Sequence, residues 1–264
     1  MALTFNRKGN PTVEVNLGKL YSSDGEIQAF MERFKRFKQA INDDDREIYT
    51  LNNHILQYRT ECLIPKQIDN RRPLLLLLGN PAPHSVREGM FFSYQHQVND
   101  NISEHRFWRS LNNAGILSFN TPFDNYQERK REFLHDQQSK YLIGLSVFYT
   151  MPSPPSHNKW GGVSGLKKLF GATAFREITC QEKYRTEKII QKFCGNNGVV
   201  IVFQKDAYLA IRDVQSPDYN IGMAREGRLI GQCIYNTGVK LFCAPPTRYN
   251  NAEILIRFIR EIPA

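Results

Sequence analysis

The chain has 264 residues, of which 41% are hydrophobic and 23% charged, and its formal net charge is +9. This composition is typical of a globular protein, and the length suffices for one sizeable α/β domain or two small ones. The chain contains no run near the roughly 20 apolar residues of a membrane span, and its start lacks the apolar core of a signal peptide. We therefore expect no membrane partner, and a cytoplasmic protein in a bacterium or a nuclear one in a eukaryote.

The basic surplus, with a pI near 9.3, favours a polyanionic partner. Each Lys or Arg that neutralises a phosphate releases a counterion, so a basic protein gains affinity for nucleic acid. The cysteines are odd in number and lack a Cys-x-x-Cys spacing, which predicts buried or half-buried free thiols in a reducing compartment. They are Cys62, Cys180, Cys194, Cys233 and Cys243.

The first 60 residues are predicted to form an N-terminal helical cap or extension. Residues 1–20 show little periodicity and are expected to be extended. Apolar residues at helical spacing over 26–41 predict a helix, which the Ser/Asp cluster at 22–24 would cap. The basic residues on its other face form either an ordinary solvated surface or one that follows phosphates. A second, partly helical segment is expected within 46–72.

Five consecutive leucines, residues 74–78, precede the turn sequence Gly-Asn-Pro-Ala-Pro. A short unbroken apolar run bounded by turn residues predicts a strand buried on both faces, as in a parallel sheet. Ligands of open α/β sheets bind beyond the carboxyl ends of the strands, so the Asn80 side chain and the amides near it are candidate ligand groups. Farther along the chain, Phe92 offers a flat apolar face that could stack on a ring.

The remainder of the chain alternates between helix and strand patterns. A loop at 99–103 is followed by a helix pattern over 104–116, which Gly115 would close. The other expected helices are 182–194 and 252–262, and the other expected strands are 141–150, 198–203 and 239–243. Alternating strands and helices predict a three-layer α/β/α core over 70–262, with a mostly parallel sheet of about four strands. The strand exits carry Asn80, Ser146, Gln204 and Thr247, which could converge on one crevice.

Residues 74–92 resemble the first active-site motif of the uracil-DNA glycosylase superfamily, most closely its mismatch-specific uracil/thymine branch. That motif is an apolar strand, Gly-x-Asn-Pro, a Ser-containing loop, a glycine and an aromatic residue, and the spacing from Asn80 to Gly89 fits it. The run Arg106-Phe107-Trp108 matches the family again at the right distance. The resemblance covers roughly residues 50–262 and implies a single α/β domain over 1–264.

The resemblance also implies an activity. A monofunctional DNA glycosylase would flip out uracil or a related damaged or mismatched base, hydrolyse its N-glycosidic bond and leave an abasic site. The implied partner is uracil-containing or mismatched DNA, and a monomer is expected. No metal or organic cofactor is implied, and the cysteine spacings do not resemble the iron–sulfur site of some relatives.

The same resemblance assigns roles to individual residues. Asn80 would be the catalytic residue, which binds and orients the attacking water. The residues implied to bind the base are Gly79, Pro81, Ala82, Phe92 and Ser146. The residues implied to contact DNA are Ser85, Lys205, Thr247, Arg248 and Tyr249, with Arg248 or Tyr249 as the wedge that fills the vacated stack. In the motif loop, His84 and Glu88 are candidates for phosphate contact or proton transfer.

Two alternatives stay open. Leu78, Val147 and Pro245 depart from the family pattern, and these departures favour a catalytically silent nucleic-acid-binding protein on the same fold. The other alternative is a hydrolase of free nucleosides or of another small molecule, against which a strongly basic rim around the crevice would speak.

Overall fold

The computed structural model describes residues 1–6, 10–66, 69–93, 96–98, 101–155, 157–234 and 236–262. The chain divides into two compact units, each made of three segments. The first unit comprises Met1–Cys62, Asn80–Phe91 and Val147–Tyr184, and the second comprises Leu63–Gly79, Phe92–Ser146 and Arg185–Ala264. The expectation of one domain over 1–264 stays a prediction.

Both units contain helices and strands. The strands are β1 (Leu3–Asn6), β2 (Thr12–Asn16), β3 (Tyr49–Asn52), β4 (Ile55–Arg59), β5 (Cys62–Leu63), β6 (Arg72–Leu78), β7 (His96–Val98), β8 (Asn101–Ser103), β9 (Tyr141–Val147), β10 (Val199–Val202), β11 (Ile230–Cys233) and β12 (Asn236–Cys243). The helices are α1 (Leu17–Leu20), α2 (Asp24–Gln39), α3 (Pro83–Glu88), α4 (Arg106–Asn113), α5 (Tyr126–His135), α6 (Gly162–Phe170), α7 (Ala172–Cys194), α8 (Lys205–Ile211), α9 (Ile221–Arg225) and α10 (Ala252–Glu261), with a 3₁₀ helix at Asp43–Ile48.

The first unit is built on an antiparallel sheet with the strand order β1-β2-β4-β3. Successive side chains of a strand point to opposite faces of the sheet. In β2, Val13 and Val15 are therefore buried, while Glu14 between them is exposed. Helix α2 is present, although both of its ends lie two residues before the predicted bounds of 26 and 41, and the Ser23 hydroxyl caps it. The centroid of its Phe37 ring lies 5.7 Å from that of Tyr49, edge-on. Before α2 lie β1, β2 and the short helix α1, and after it lie the 3₁₀ helix, β3 and β4. The described part of the first 60 residues therefore contains four strands besides the helices that we expected.

The second unit is built on a six-stranded sheet with the order β11-β12-β10-β6-β9-β5. Strands β12, β10 and β6 run parallel, and Leu74 pairs with Val199. The leucines of β6 are fully or almost fully buried, as their unbroken run predicts. The α/β class is confirmed, but the sheet has six strands instead of about four, because the short strand β5 and the antiparallel strand β11 extend it.

Three boundaries differ from the sequence prediction. Asn101–Ser103 is a strand paired with β7 instead of a loop, while residues 99 and 100 lie outside the described residues. Helix α4 begins at Arg106 because His105, not Ser103, caps it. Helix α7 begins ten residues before the predicted start at residue 182.

The cysteines are all free thiols. Cys194, Cys233 and Cys243 are buried and Cys62 is half-buried, as predicted, but Cys180 is exposed. Burial raises the pKa of the Cys233 and Cys243 thiols to about 12, so both are protonated at neutral pH. Separately, no helix in the described part of the chain is long and apolar enough to cross a bilayer.

Helix α6 contains a glycine whose site has no room for a side chain. A Cβ on Gly165 would lie 1.9 Å from the carbonyl oxygen of Trp160. Because that oxygen belongs to the backbone, we expect Gly165→Ala to lower the free energy of unfolding by about 1–3 kcal/mol. In α2 a Cβ on Gly25 would meet nothing nearer than the Ser23 hydroxyl at 4.0 Å. Gly25→Ala is therefore the matched control and should raise that free energy by about 0.4–1 kcal/mol.

Urea unfolding followed by circular dichroism measures both changes. Equal effects of the two substitutions would contradict the assignment of Gly165 to a close backbone contact.

Candidate functional site

Asn80 lies in the first unit, two residues after the end of β6 in the chain, and is half-buried. Its side-chain Nδ2 donates hydrogen bonds to Ser153 Oγ at 2.8 Å and to the Pro81 carbonyl at 3.3 Å. Ser153 Oγ donates its own proton to the Pro154 carbonyl at 3.3 Å, so it accepts from the amide. These acceptors fix which end of the carboxamide faces them. The other end, Oδ1, accepts no hydrogen bond from any described residue and is available to a ligand or a water.

Ser153 is itself held firmly. It is 3% exposed, and its backbone N–H donates to the Pro81 carbonyl at 3.1 Å. The preceding Pro152 carbonyl accepts from the Tyr49 hydroxyl at 2.9 Å. The sequence places Ser153 in the loop after β9 but gives no sign that it holds Asn80, because the two residues are 73 positions apart.

A buried polar network anchors the same loop at Thr150. Its N–H donates to Glu182 Oε1 at 2.7 Å, and its hydroxyl contacts both that oxygen and the Tyr58 hydroxyl. Its carbonyl accepts from the Thr60 hydroxyl at 2.6 Å. Glu182 and Thr150 are each at most 2% exposed, and polar groups buried this deeply are costly unless they are hydrogen-bonded. The network therefore fixes the backbone three residues before Ser153.

The loop after Asn80 forms the short helix α3, which Gly89 ends at a φ of 74°. Burial, and then the positive charge of Arg87, lower the pKa of His84 to about 4, although Glu88 opposes the shift. His84 is therefore neutral at neutral pH and offers no cationic charge to a phosphate. Glu88 accepts from Arg87 at 3.0 Å and is thus engaged in an ion pair.

Two serines with predicted roles are buried. Ser85, expected to contact DNA, is 2% exposed and its hydroxyl lies 3.4 Å from His84 Nε2. Ser146, expected to bind the base from a strand exit, is 0% exposed and lies within β9. Neither side chain is exposed to solvent, and the roles of these two serines stay predictions.

Phe92 lies in the second unit, is half-buried and has a φ of 53°. A bulky residue in the left-handed region is strained and persists only where its surroundings hold it. Its ring centroid is 4.5 Å from those of His105 and Phe107, at interplanar angles of 15° and 35°. The imidazole of His105 therefore covers one face of the ring, and a base stacked there would have to displace it. The predicted pocket between Asn80 and Phe92 joins residues of different units and stays a prediction.

The residues beside Asn80 have distinct environments. Pro81 is buried, and Ala82 is half-buried just before α3. In the second unit, a Cβ on Gly79 would lie 3.0 Å from the side chain of Gln204. Gln204 caps α8 by accepting from the Ala207 N–H at 2.6 Å. Gln204 at this strand exit thus serves the local structure.

The loop after β12 carries Thr247, Arg248 and Tyr249, of which Arg248 is exposed and the others are half-buried. The Tyr249 N–H donates to the Pro246 carbonyl at 3.0 Å and closes a turn. The Arg106 guanidinium donates to the Arg248 carbonyl. The Arg106-Phe107-Trp108 run and the loop after β12, which only the family resemblance linked in the sequence, are thus in contact within the second unit.

Two arginines converge on Tyr249. Its hydroxyl accepts from Arg225 at 3.2 Å and from Arg248 at 3.4 Å, and both guanidinium groups lie within 5.2 Å of its ring centroid. These hydrogen bonds lower the pKa of Tyr249. Lys205 is the first residue of α8, which follows β10. Its ammonium group lies 5.7 Å from the centroid of the Tyr219 ring. Sequence reasoning missed Arg225, which no motif marks.

Comparison of the chain with protein-family models and with curated proteins finds no match. Among the residues that the structure describes, no group of three or more His, Cys, Asp or Glu side chains could hold a metal ion.

The lowered pKa of His84 predicts a pH dependence of stability. Between about pH 4 and the ordinary value of 6.5, the unfolded state binds a proton at His84 that the folded state does not. Stability therefore rises with pH through this window, is complete above it and falls as the pH drops toward 4. We expect His84→Gln to lose less stability than the wild type on acidification from pH 7 to 5.

Urea unfolding of both proteins at several pH values, with an NMR titration of the imidazole, measures this difference. A difference in the free energy of unfolding that is constant from pH 7 to 5 would contradict the burial of a neutral His84.

Proposed function

We propose that the protein is a DNA glycosylase that hydrolyses the N-glycosidic bond of uracil or of a related damaged or mismatched base. The observation that carries the proposal is the carboxamide of Asn80, which is anchored through Nδ2 and has Oδ1 left to accept a hydrogen bond. An oxygen fixed in this way can orient a water molecule. The resemblance of residues 74–92 to a glycosylase motif supports the same reading.

The proposed reaction starts when the target base leaves the helical stack, which costs a few kcal/mol and least at a mismatch or lesion. The C1′–N bond then breaks, and its electron pair leaves with the base while positive charge develops on the sugar. Water attacks C1′, and its proton passes to the solvent or to the departing base. Asn80 Oδ1 accepts a hydrogen bond from this water but cannot remove its proton as a carboxylate would. The rate therefore depends on stabilising the separated charges.

The exposed cations of the second unit support nucleic acid as the substrate. Arg225 and Arg248 form no ion pair with a carboxylate in the described part of the chain. A hydrolase of free nucleosides would not need such cations, whereas each one can neutralise a phosphate.

A second candidate is a nucleic-acid-binding protein that does not excise bases. The stacking of His105 on Phe92 favours it, because that contact covers a ring face which a flipped base would use. The burial of Ser146 favours it too, since a closed hydroxyl cannot read a base edge.

Base release from a duplex with a single G·U pair tests the proposal. We expect the wild type to leave an abasic site, and Asn80→Ala to lower the single-turnover rate about 10²–10³-fold, because one preorganised polar group is lost. Cleavage of the abasic site by alkali and gel separation measure the rate. If the wild type releases no base from uracil, hypoxanthine and xanthine duplexes but still binds DNA, the second candidate is correct.

Ser153 should act only through Asn80. We expect Ser153→Ala to lower the excision rate about 3–10-fold, the effect of losing one neutral hydrogen bond, and to have no further effect in an Asn80→Ala background. Ser164→Ala is the control, because Ser164 is exposed in the same unit and, among the described residues, its hydroxyl bonds only to the Gly161 carbonyl. Additive losses in the double variant would show that Ser153 does not work by orienting Asn80.

A further inference from the structure

Five residues of the second unit form a basic–aromatic cluster: Lys205, Tyr219, Arg225, Arg248 and Tyr249. Lys205 follows β10 and Tyr249 follows β12, and these strands are parallel neighbours in the sheet. Both residues therefore lie at the same, carboxyl edge of the sheet. Tyr219 belongs to the same neighbourhood, since the charges of Arg225 and Arg248 both act on the titration of its hydroxyl.

The cations of the cluster are not neutralised, although acidic residues stand next to them in the sequence. Glu226 follows Arg225, but it pairs with Arg228. Asp218 precedes Tyr219, but it pairs with Arg212. These two carboxylates are thus bound by other arginines, and Asp206, which follows Lys205, accepts a hydrogen bond from the Gln204 side chain at 3.0 Å.

That leaves Lys205, Arg225 and Arg248, all exposed, without an ion pair to a described residue. Cations gathered in this way repel one another, so an anion that binds among them relieves the repulsion.

The cluster also presents rings. Tyr219 and Tyr249 are half-buried and neither is enclosed in the core. The Tyr249 hydroxyl is bonded to both arginines, which fixes the ring before any ligand arrives. Bases stack on tyrosine rings and on guanidinium planes, but only unpaired bases present a free face.

We propose that the basic–aromatic cluster binds single-stranded DNA, with its cations on the phosphates and its tyrosine rings against unpaired bases. The inference deepens the proposed function, because it rests on a nucleic-acid partner and assigns the strand state that this surface takes. It does not depend on base excision. A duplex supplies phosphates but no free base faces, so it uses only half of this surface.

Fluorescence anisotropy with a labelled oligothymidylate, and with a duplex of equal length, tests the inference. We expect the wild type to bind the single strand more tightly than the duplex. Arg225→Gln combined with Arg248→Gln should weaken single-strand binding at least tenfold. It should also reduce the slope of log K against log salt by about 1.4, because two phosphate contacts are lost.

The tyrosine variants separate stacking from charge. Tyr249→Leu should weaken binding to oligothymidylate about fivefold or more, since stacking contributes about 1–3 kcal/mol per base, whereas Tyr249→Phe keeps the ring and should lose less. The matched charge control is Arg131→Gln with Arg260→Gln, which removes two exposed arginines of the same unit that lie outside the cluster. Circular dichroism confirms that each variant folds.

Several outcomes would overturn the inference. One is single-strand binding that the Arg225 and Arg248 substitutions change no more than the control does. Another is a wild type that prefers the duplex, with Tyr249→Leu without effect. Excision assays on the same proteins keep the two proposals apart. If the wild type binds the single strand through the cluster but excises no base, only the glycosylase proposal is wrong. If the Arg225→Gln, Arg248→Gln variant binds oligothymidylate and excises bases as the wild type does, only the inference about the cluster is wrong.

Discussion

The burial of five consecutive leucines in β6 is the constraint on which the second unit depends. A strand that is apolar on both faces cannot lie at an exposed edge or against solvent, so it must have strands on both sides and cover above and below. β10 and β9 supply the flanking strands. Because β6, β10 and β12 run parallel, their carboxyl ends meet at one edge, where Gln204, Lys205 and the loop after β12 follow. The chain leaves β6 at Gly79, whose lack of a side chain permits the close approach of Gln204.

The first unit shows how a polar side chain acquires a fixed orientation. A carboxamide has a donor end and an acceptor end of equal size, so its neighbours decide which end is presented. For Asn80 the neighbours are Ser153 and the Pro81 carbonyl. Ser153 is positioned in turn by a loop that is hydrogen-bonded to Tyr49, and at Thr150 to Tyr58 and Thr60. The N-terminal sheet is therefore part of what holds Asn80 within the first unit.

Net charge alone does not locate a binding surface. Many of the arginines that contribute to the +9 charge are paired with carboxylates, as Arg87 is with Glu88 and Arg212 is with Asp218. A paired arginine gains little from a phosphate, because it must first give up its partner. The basic–aromatic cluster differs because its cations contact tyrosines instead of carboxylates. The candidate binding surface is thus identified by which cations lack a carboxylate partner, more than by the net charge of the chain.

The sequence by itself determined the elements whose signals are local: the buried run of β6 before the Asn-Pro turn, and the helical period of α2 with its Ser23 cap. Only the tertiary structure decided that Ser85 and Ser146 are buried, that Ser153 orients Asn80 and that Arg225 joins Arg248 at Tyr249. The physical reason is range. A strand or a helix is specified by residues a few positions apart, whereas a hydrogen bond between residues 73 positions apart depends on how the whole chain folds.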